Sequence, residues 1–305
     1  MYRDPTMRVL VATAVVVLVV AGSRWLREAD FVHHRVYWMN KFLQPPEYDV
    51  AVGGDSRIYR GVSPAAMEKV FGERRVVNFG FSACGYENDY LDALQGLLRP
   101  GAARPTIVVG VTPLSLTPRA VRDNEFLRLR RTDRDQLVED MAFARLTGPF
   151  RSFIRVGRAM ELEREKGHFR EKYYADGWVA TLQPIRPDRA LKEYVDIFGE
   201  NSVAPEIVAE LCAGVRRWRA ASIRVYGFRP PASPALSTLE DREGGFDEPG
   251  FVREFAQAGG LWIPIRAADY VTYDGSHLLE DSAVRLSCDL AEWIRRSEAG
   301  GGTGD

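Results

Sequence analysis

Five short apolar stretches rich in β-branched residues predict buried β-strands between residues 48 and 265. Between them, apolar residues recur at helical spacing, as in Tyr90, Leu91 and Leu94, and a final helix is predicted from about His277 to Arg295. Strands that alternate with helices indicate a parallel sheet. The predicted strands are Tyr48–Val52, Arg75–Phe79, Thr106–Val111, Ile223–Phe228 and Leu261–Ile265.

This pattern is interrupted between about residues 119 and 202, where Arg/Glu-rich segments carry short aromatic clusters. We interpret this region as a mostly helical insertion into one α/β domain that spans residues 48–296. The domain without its insertion is large enough for a single core. The glycine-rich tail, residues 297–305, is predicted to be disordered.

The most apolar stretch of the chain runs from Val9 to Ser23 and carries no charge. As a helix it would be about 22 Å long, shorter than the roughly 30 Å hydrocarbon core of a bilayer. It predicts an N-terminal hydrophobic helix over residues 1–26, either a cleaved signal peptide or an uncleaved signal anchor in the membrane, followed by a tether over residues 27–47. Both alternatives place the domain outside the cytoplasm, secreted or held in a bacterial cell envelope.

Composition and charge exclude several classes of function. The 41 Lys and Arg residues against 42 Asp and Glu leave no electrostatic basis for nucleic-acid binding. Six arginines between Arg119 and Arg134 are interleaved with acidic residues, which favours a solvated helical face over an anion site. Three cysteines cannot form a complete disulfide framework. Histidines in the tether and in a charged stretch favour surface positions, so we expect no metal and no cofactor.

Two motifs follow predicted strands and carry chemistry. Ser56 comes directly after the first strand, in Gly53-Gly54-Asp55-Ser56, and Asp274-Gly275-Ser276-His277 precedes the last helix. Each motif alone is typical of a turn or a helix cap. However, the carboxyl ends of parallel strands share one edge of the sheet, where ligands bind. Asp274 could then orient His277 as the base that activates Ser56.

With these blocks the chain resembles the SGNH (GDSL-type) hydrolases. Gly54-Asp55-Ser56 matches the first block of that family, and Asp274 with His277 matches the last. The resemblance implies a flavodoxin-like three-layer α/β/α sandwich with a parallel five-stranded sheet. It also implies that Gly80 donates an oxyanion-hole amide from the second block. In the third block, Thr112 stands where the family has an asparagine that donates to the oxyanion.

The resemblance therefore implies an extracytoplasmic serine esterase or O-acyltransferase that acts on O-acetyl esters of a cell-envelope carbohydrate. Exported members that modify envelope polysaccharides also depart from the standard blocks. The missing asparagine leaves an alternative, a catalytically reduced relative that binds a glycan or a protein partner. Candidate substrate-binding residues are Arg57, Asn78 and Arg229.

Overall fold

The computed structural model describes residues 34–143, 170–187 and 189–300, with Val32 and four isolated residues nearer the amino terminus. Within these ranges no helix is both long and apolar enough to span a bilayer. The predicted signal peptide or anchor lies outside the described residues, except for Thr6, Val11, Thr13 and Val15.

A sheet of five parallel strands forms the centre of the domain, and each strand matches one of the five predicted from sequence. In chain order the strands of the structure are β1 (Val50–Gly54), β2 (Val76–Asn78), β3 (Thr106–Gly110), β4 (Arg170–Tyr173), β5 (Val179–Leu182), β6 (Arg224–Phe228) and β7 (Leu261–Trp262). The order of the parallel sheet is β2-β1-β3-β6-β7, the flavodoxin-like arrangement, while β4 and β5 form a separate antiparallel hairpin.

Helices cover both faces of the sheet because successive strand residues point to opposite sides. The helices with both ends described are α1 (His34–Phe42), α2 (Ser56–Gly61), α3 (Pro64–Phe71), α4 (Asn88–Gly96), α5 (Glu125–Arg130), α6 (Leu191–Phe198), α7 (Pro205–Ala220), α8 (Pro234–Arg242), α9 (Glu248–Gln257) and α10 (Glu280–Gly300). Ala51 and Ile107 face a core shared with α4, α7 and α9, whereas Val50 and Val108 face a second core shared with α3 and α10.

The insertion differs from the helical prediction because its described part contains the β4–β5 hairpin. The turn of this hairpin docks on the end of β2, where the amide of Asn78 donates to the carbonyl of Asp176 at 2.9 Å. Gly177 has φ of 90° in this turn, and a Cβ there would lie 2.0 Å from the carbonyl oxygen of Asn78. Only glycine fits this close approach.

Both ends of the domain extend further than the sequence indicates. Within the segment predicted as a tether, residues 34–42 form helix α1, whose Lys41 is fully buried and donates to the carbonyl of Gly80 at 2.6 Å. At the other end, α10 continues to Gly300, and Glu298 forms ion pairs that hold residues 297–300 in the fold. Its partners are Arg74, Arg104 and Arg224.

Asn78 is not a substrate-binding residue, because all of its side chain is used inside the fold. It is fully buried at the end of β2, and its Nδ2 donates to the carbonyls of Ile58 and Val62, each at 2.7 Å. Its Oδ1 accepts from the amide of Gly80 at 3.0 Å. Asn78 therefore donates to two carbonyls at the end of α2, the helix that begins with Ser56, and one of them, that of Ile58, also accepts the amide of Val62 at 3.0 Å.

We predict that Asn78→Ala destabilises the protein by about 2–4 kcal/mol, since the carbonyl of Val62 loses its donor and the buried amide of Gly80 loses its acceptor. Asn78→Asp should cost at least as much, because a carboxylate cannot donate. Asn88, an exposed residue at the start of α4, provides the control, and Asn88→Ala should cost less than about 1 kcal/mol. Denaturant unfolding measures all three, and equal losses at both positions would contradict the capping role.

Candidate active site

The structure brings Ser56, His277 and Asp274 together at the carboxyl edge of the sheet. Ser56 Oγ lies 2.9 Å from His277 Nε2, and His277 Nδ1 lies 2.8 Å from Asp274 Oδ2. The two hydrogen bonds suit the tautomer with its proton on Nδ1, in which Nε2 accepts from the serine hydroxyl. The His277 and Asp274 side chains remain 16% and 11% exposed, so the group is reachable from solvent.

Ser56 owes its position to a sharp passage from β1 into α2. Gly54 has φ of 146°, and a Cβ at this residue would lie 2.8 Å from the carbonyl oxygen of Gly110 on the adjacent strand. Asp55 then caps the helix, accepting the amide of Arg57 at 2.9 Å. Ser56 is therefore the first residue of α2, where its own amide has no partner within the helix.

The loop that carries His277 is shaped by Asp274. Its Oδ1 accepts from the amides of Ser276 at 2.9 Å and His277 at 2.8 Å, while Oδ2 holds the imidazole. The insertion secures this loop from outside, since the amide of Ala190 donates to the carbonyl of Asp274 at 3.0 Å. A single carboxylate thus sets both the backbone of the loop and the direction of the ring.

These contacts also set the charge of Asp274. Burial acts against ionisation, but hydrogen bonds and charge from His277, with the amide of Ser276, lower the pKa of Asp274 to about 2. The carboxylate is therefore ionised at neutral pH and can stabilise a positive charge on the imidazole.

The neighbours of Ser56 in sequence are two buried ionisable residues. Asp55 is fully buried; burial raises its pKa, against the opposing effects of Arg57 and of the hydroxyl of Thr112, which donates to its Oδ2. Arg57 is 2% exposed, pairs with Glu240 through both guanidinium nitrogens, and donates from Nε to Ser276 Oγ at 3.0 Å. Arg57 therefore supports the loop of His277 and does not contact substrate, in contrast to the prediction.

Arg229, also predicted to bind substrate, belongs to a different part of the structure. Its guanidinium pairs with Glu240 at 3.1 Å, Asp241 at 2.8 Å and Glu248 at 2.9 Å. It lines a cavity of about 600 Å³ beside Trp262, and neither Ser56 nor His277 lines this cavity. Its charge is used within the fold, where it helps neutralise the buried Glu240.

The two predicted oxyanion donors are already engaged. The amide of Gly80 donates to Asn78 Oδ1, and the hydroxyl of Thr112 donates to Asp55. Thr112 is also fully buried, so it cannot reach a substrate. Neither residue offers a free donor to a substrate at Ser56.

Sequence reasoning missed an amide in the cavity of Ser56 that has no acceptor among the described residues, that of Ala83. Ala83 lines the same cavity as Ser56 and has φ of 53°, a conformation uncommon outside glycine. Its amide has no hydrogen-bond acceptor within the described part of the chain. No sequence signal marks this position, because the positive φ arises from the turn after β2.

The cavity that contains Ser56 and His277 has a volume of about 360 Å³, within the range of small-molecule sites. Its lining includes Ser82 and Ala83 from the turn after β2 and residues of the insertion such as Tyr194 of α6. The insertion therefore takes part in the site. Among the described residues, no group of three His, Cys, Asp or Glu side chains is arranged to hold a metal ion.

No family model and no curated protein matches this sequence. Two solved structures are similar to it over most of its length. One, from Streptococcus pneumonia and named as a platelet activating factor, has 13% identity and a TM-score of 0.39, covering 93% of this chain and 99% of its own. The other is Est24, a carbohydrate acetylesterase from Sinorhizobium meliloti, with 12% identity and a TM-score of 0.35, covering 82% and 99%. Similarity at this level carries no argument about chemistry.

We predict that Thr112→Val lowers the free energy of unfolding by about 1–3 kcal/mol, since buried Asp55 loses a donor. Thr112→Ser, which keeps the hydroxyl, should retain most of the stability. Chemical denaturation checks both variants. A Thr112→Val protein of unchanged stability would show that the hydroxyl is not needed to satisfy Asp55.

A second prediction concerns pH. Because folding lowers the pKa of Asp274, its stabilising contribution is present in full above the ordinary value of 3.8 and is lost as pH falls through about 2. The difference in thermal stability between the wild-type protein and Asp274→Asn should therefore shrink over that interval. A difference that stays constant down to about pH 2 would contradict the assigned pairing.

Proposed function

We propose that this protein is a serine esterase or O-acyltransferase. The observation that carries the proposal is the chain of two hydrogen bonds from Ser56 through His277 to Asp274, at 2.9 and 2.8 Å. A serine hydroxyl becomes an effective nucleophile when an oriented imidazole accepts its proton. The position of Ser56 in a cavity open to solvent supplies the access that an ester substrate needs.

In the proposed reaction, Ser56 Oγ attacks the carbonyl carbon of the ester while His277 Nε2 takes the hydroxyl proton. Asp274 stabilises the resulting imidazolium, which then returns the proton to the departing alcohol. The products of this half-reaction are a free alcohol and an acyl group on Ser56. Attack by water then gives a carboxylic acid, and attack by a sugar hydroxyl transfers the acyl group.

The tetrahedral oxyanion needs donors, and we propose the amides of Ser56 and Ala83. Both residues line the cavity, and the amide of Ser56 lies at the start of α2, where a developing negative charge is favoured. One such donor typically contributes about 100-fold to 1000-fold in rate. Backbone amides would thus take the place of the asparagine that Thr112 replaces.

The proposed setting is extracytoplasmic, with the apolar segment Val9–Ser23 acting as a signal peptide or a membrane anchor. The proposed substrate is an acylated carbohydrate of the cell envelope, with O-acetyl as the acyl group. The support for both is the sequence pattern and the resemblance to exported SGNH hydrolases.

A binding protein without catalytic activity is the second candidate. The observation in its favour is that Gly80 and Thr112, which occupy the expected oxyanion positions, are committed to Asn78 and Asp55. Such a protein would keep the cavity and the triad geometry yet would not turn over an ester.

Labelling of the full-length protein with a fluorophosphonate probe separates the two candidates. We expect labelling and hydrolysis of an aryl acetate in the wild-type protein, and both should be lost in Ser56→Ala, with a rate loss on the order of a million-fold. His277→Ala should lose a similar factor, and the double variant little more, because the residues act as a unit.

The matched control is Ser237→Ala, which alters a serine that lines the other cavity. This variant should keep both labelling and turnover. A wild-type protein that neither reacts with the probe nor hydrolyses the ester would favour the binding protein. Labelling that persists in Ser56→Ala would show that Ser56 is not the nucleophile.

A further inference from the structure

Two arginines beside Ser56 are not paired within the described residues. Arg119 follows the turn after β3 and Arg189 precedes α6; both are exposed, and both line the cavity that holds Ser56. Neither guanidinium has an ion pair or a side-chain hydrogen bond in the described part of the chain. They differ in this from Arg60 in the same cavity, which pairs with Glu171.

Hydrogen bonds fix the backbone directly after each of the two arginines. The residue after Arg119, Ala120, accepts the amide of Gly85 at 3.1 Å, and the residue after Arg189, Ala190, donates to the carbonyl of Asp274 at 3.0 Å. Both alanines are buried. Each guanidinium therefore extends from a fixed point on the cavity wall.

The unpaired charge in the cavity is positive overall. Glu193 of α6 is the one acidic side chain of the lining, besides Asp274, and it also has no ion pair within the described residues. Asp274 is held by His277. In the described part of the chain, two unpaired guanidiniums and one unpaired carboxylate give the cavity a net positive charge. A guanidinium also presents its N–H donors as a planar fork that matches carboxylate and phosphate groups.

We infer that the substrate carries an anionic group, a carboxylate or a phosphate, close to the ester that reacts with Ser56. This inference rests on the proposed function and narrows its substrate class from carbohydrate to acidic carbohydrate. Arg119 and Arg189 hold the anion, while Glu193 opposes it and disfavours substrates with more than one negative charge. The neutral part of the substrate occupies the remainder of the cavity.

The test compares three acetylated sugars that differ at one position: methyl glucoside, methyl glucuronoside and methyl glucoside 6-phosphate. Measured by acetate release, the kcat/KM of the wild-type protein should be higher on at least one of the two anionic sugars than on the neutral one. The anionic sugar with the higher kcat/KM identifies the preferred anion. Arg119→Glu and Arg189→Glu should each lower the ratio of anionic to neutral kcat/KM by about 10-fold to 100-fold. Added salt should lower the same ratio.

Two further variants sharpen the result. Glu193→Gln should raise the ratio, because it removes the opposing charge. Arg122→Glu is the matched control: Arg122 is exposed three residues from Arg119 but does not line the cavity, so its ratio should stay as in the wild-type protein. An equal loss in Arg122→Glu would reveal a diffuse charge effect and overturn the assignment.

The outcomes distinguish this inference from the proposed function. Ser56-dependent hydrolysis of a neutral aryl acetate, with no preference for the anionic sugars, overturns the inference and leaves the proposed function standing. Calorimetry with Ser56→Ala reports sugar binding without turnover. If that protein binds the anionic sugars through Arg119 and Arg189 while the wild-type protein hydrolyses no ester, the inferred anion site is supported and the proposed function fails.

Discussion

Two buried ionisable side chains next to Ser56 constrain the whole carboxyl edge of the sheet. A buried charge is costly unless it is paired and hydrogen-bonded, so Asp55 and Arg57 require partners from elsewhere in the chain. Asp55 obtains Thr112 from the loop after β3, and Arg57 obtains Glu240 from α8 and Ser276 from the loop of His277. Because these partners come from separate loops, satisfying the two residues gathers those loops around Ser56. The short distance from Ser56 to His277 is a consequence of this network.

The same network explains how the third sequence block can change. Where the resembling family has an asparagine that points at the oxyanion, Thr112 points inward and donates to Asp55. In the mechanism we propose, backbone amides bind the oxyanion instead, and no side-chain substitution removes a backbone amide. The turn at Ala83 and the start of α2 supply such amides on the cavity wall. The insertion contributes residues such as Tyr194 to the lining of the same cavity.

Local patterns were sufficient to predict the strands, because each is a short apolar run bounded by turn residues. The motif around Ser56 was visible for the same reason, as polar residues directly beside such a run, and the motif of Asp274 was visible from its place between the last strand and the last helix. The roles of Arg57, Asn78 and Arg229 were not predictable. A polar residue near a strand end is equally compatible with substrate contact and with a buried partner, and burial depends on elements distant in sequence. The hairpin was missed because β4 carries charged and aromatic residues also found in surface helices and β5 is only four residues long.

The sequence by itself determined the α/β class, the five strands and the order of the nucleophile and histidine blocks, since these follow from local periodicity and from the common edge of a parallel sheet. Only the tertiary structure decided which polar side chains face the cavity and which are buried and paired inside the fold. It places α1 against the domain, directs Thr112 to Asp55, and leaves Arg119 and Arg189 without partners in the described chain. The physical reason is that hydrogen bonds and ion pairs are satisfied between residues far apart in sequence, and no local pattern records those pairings.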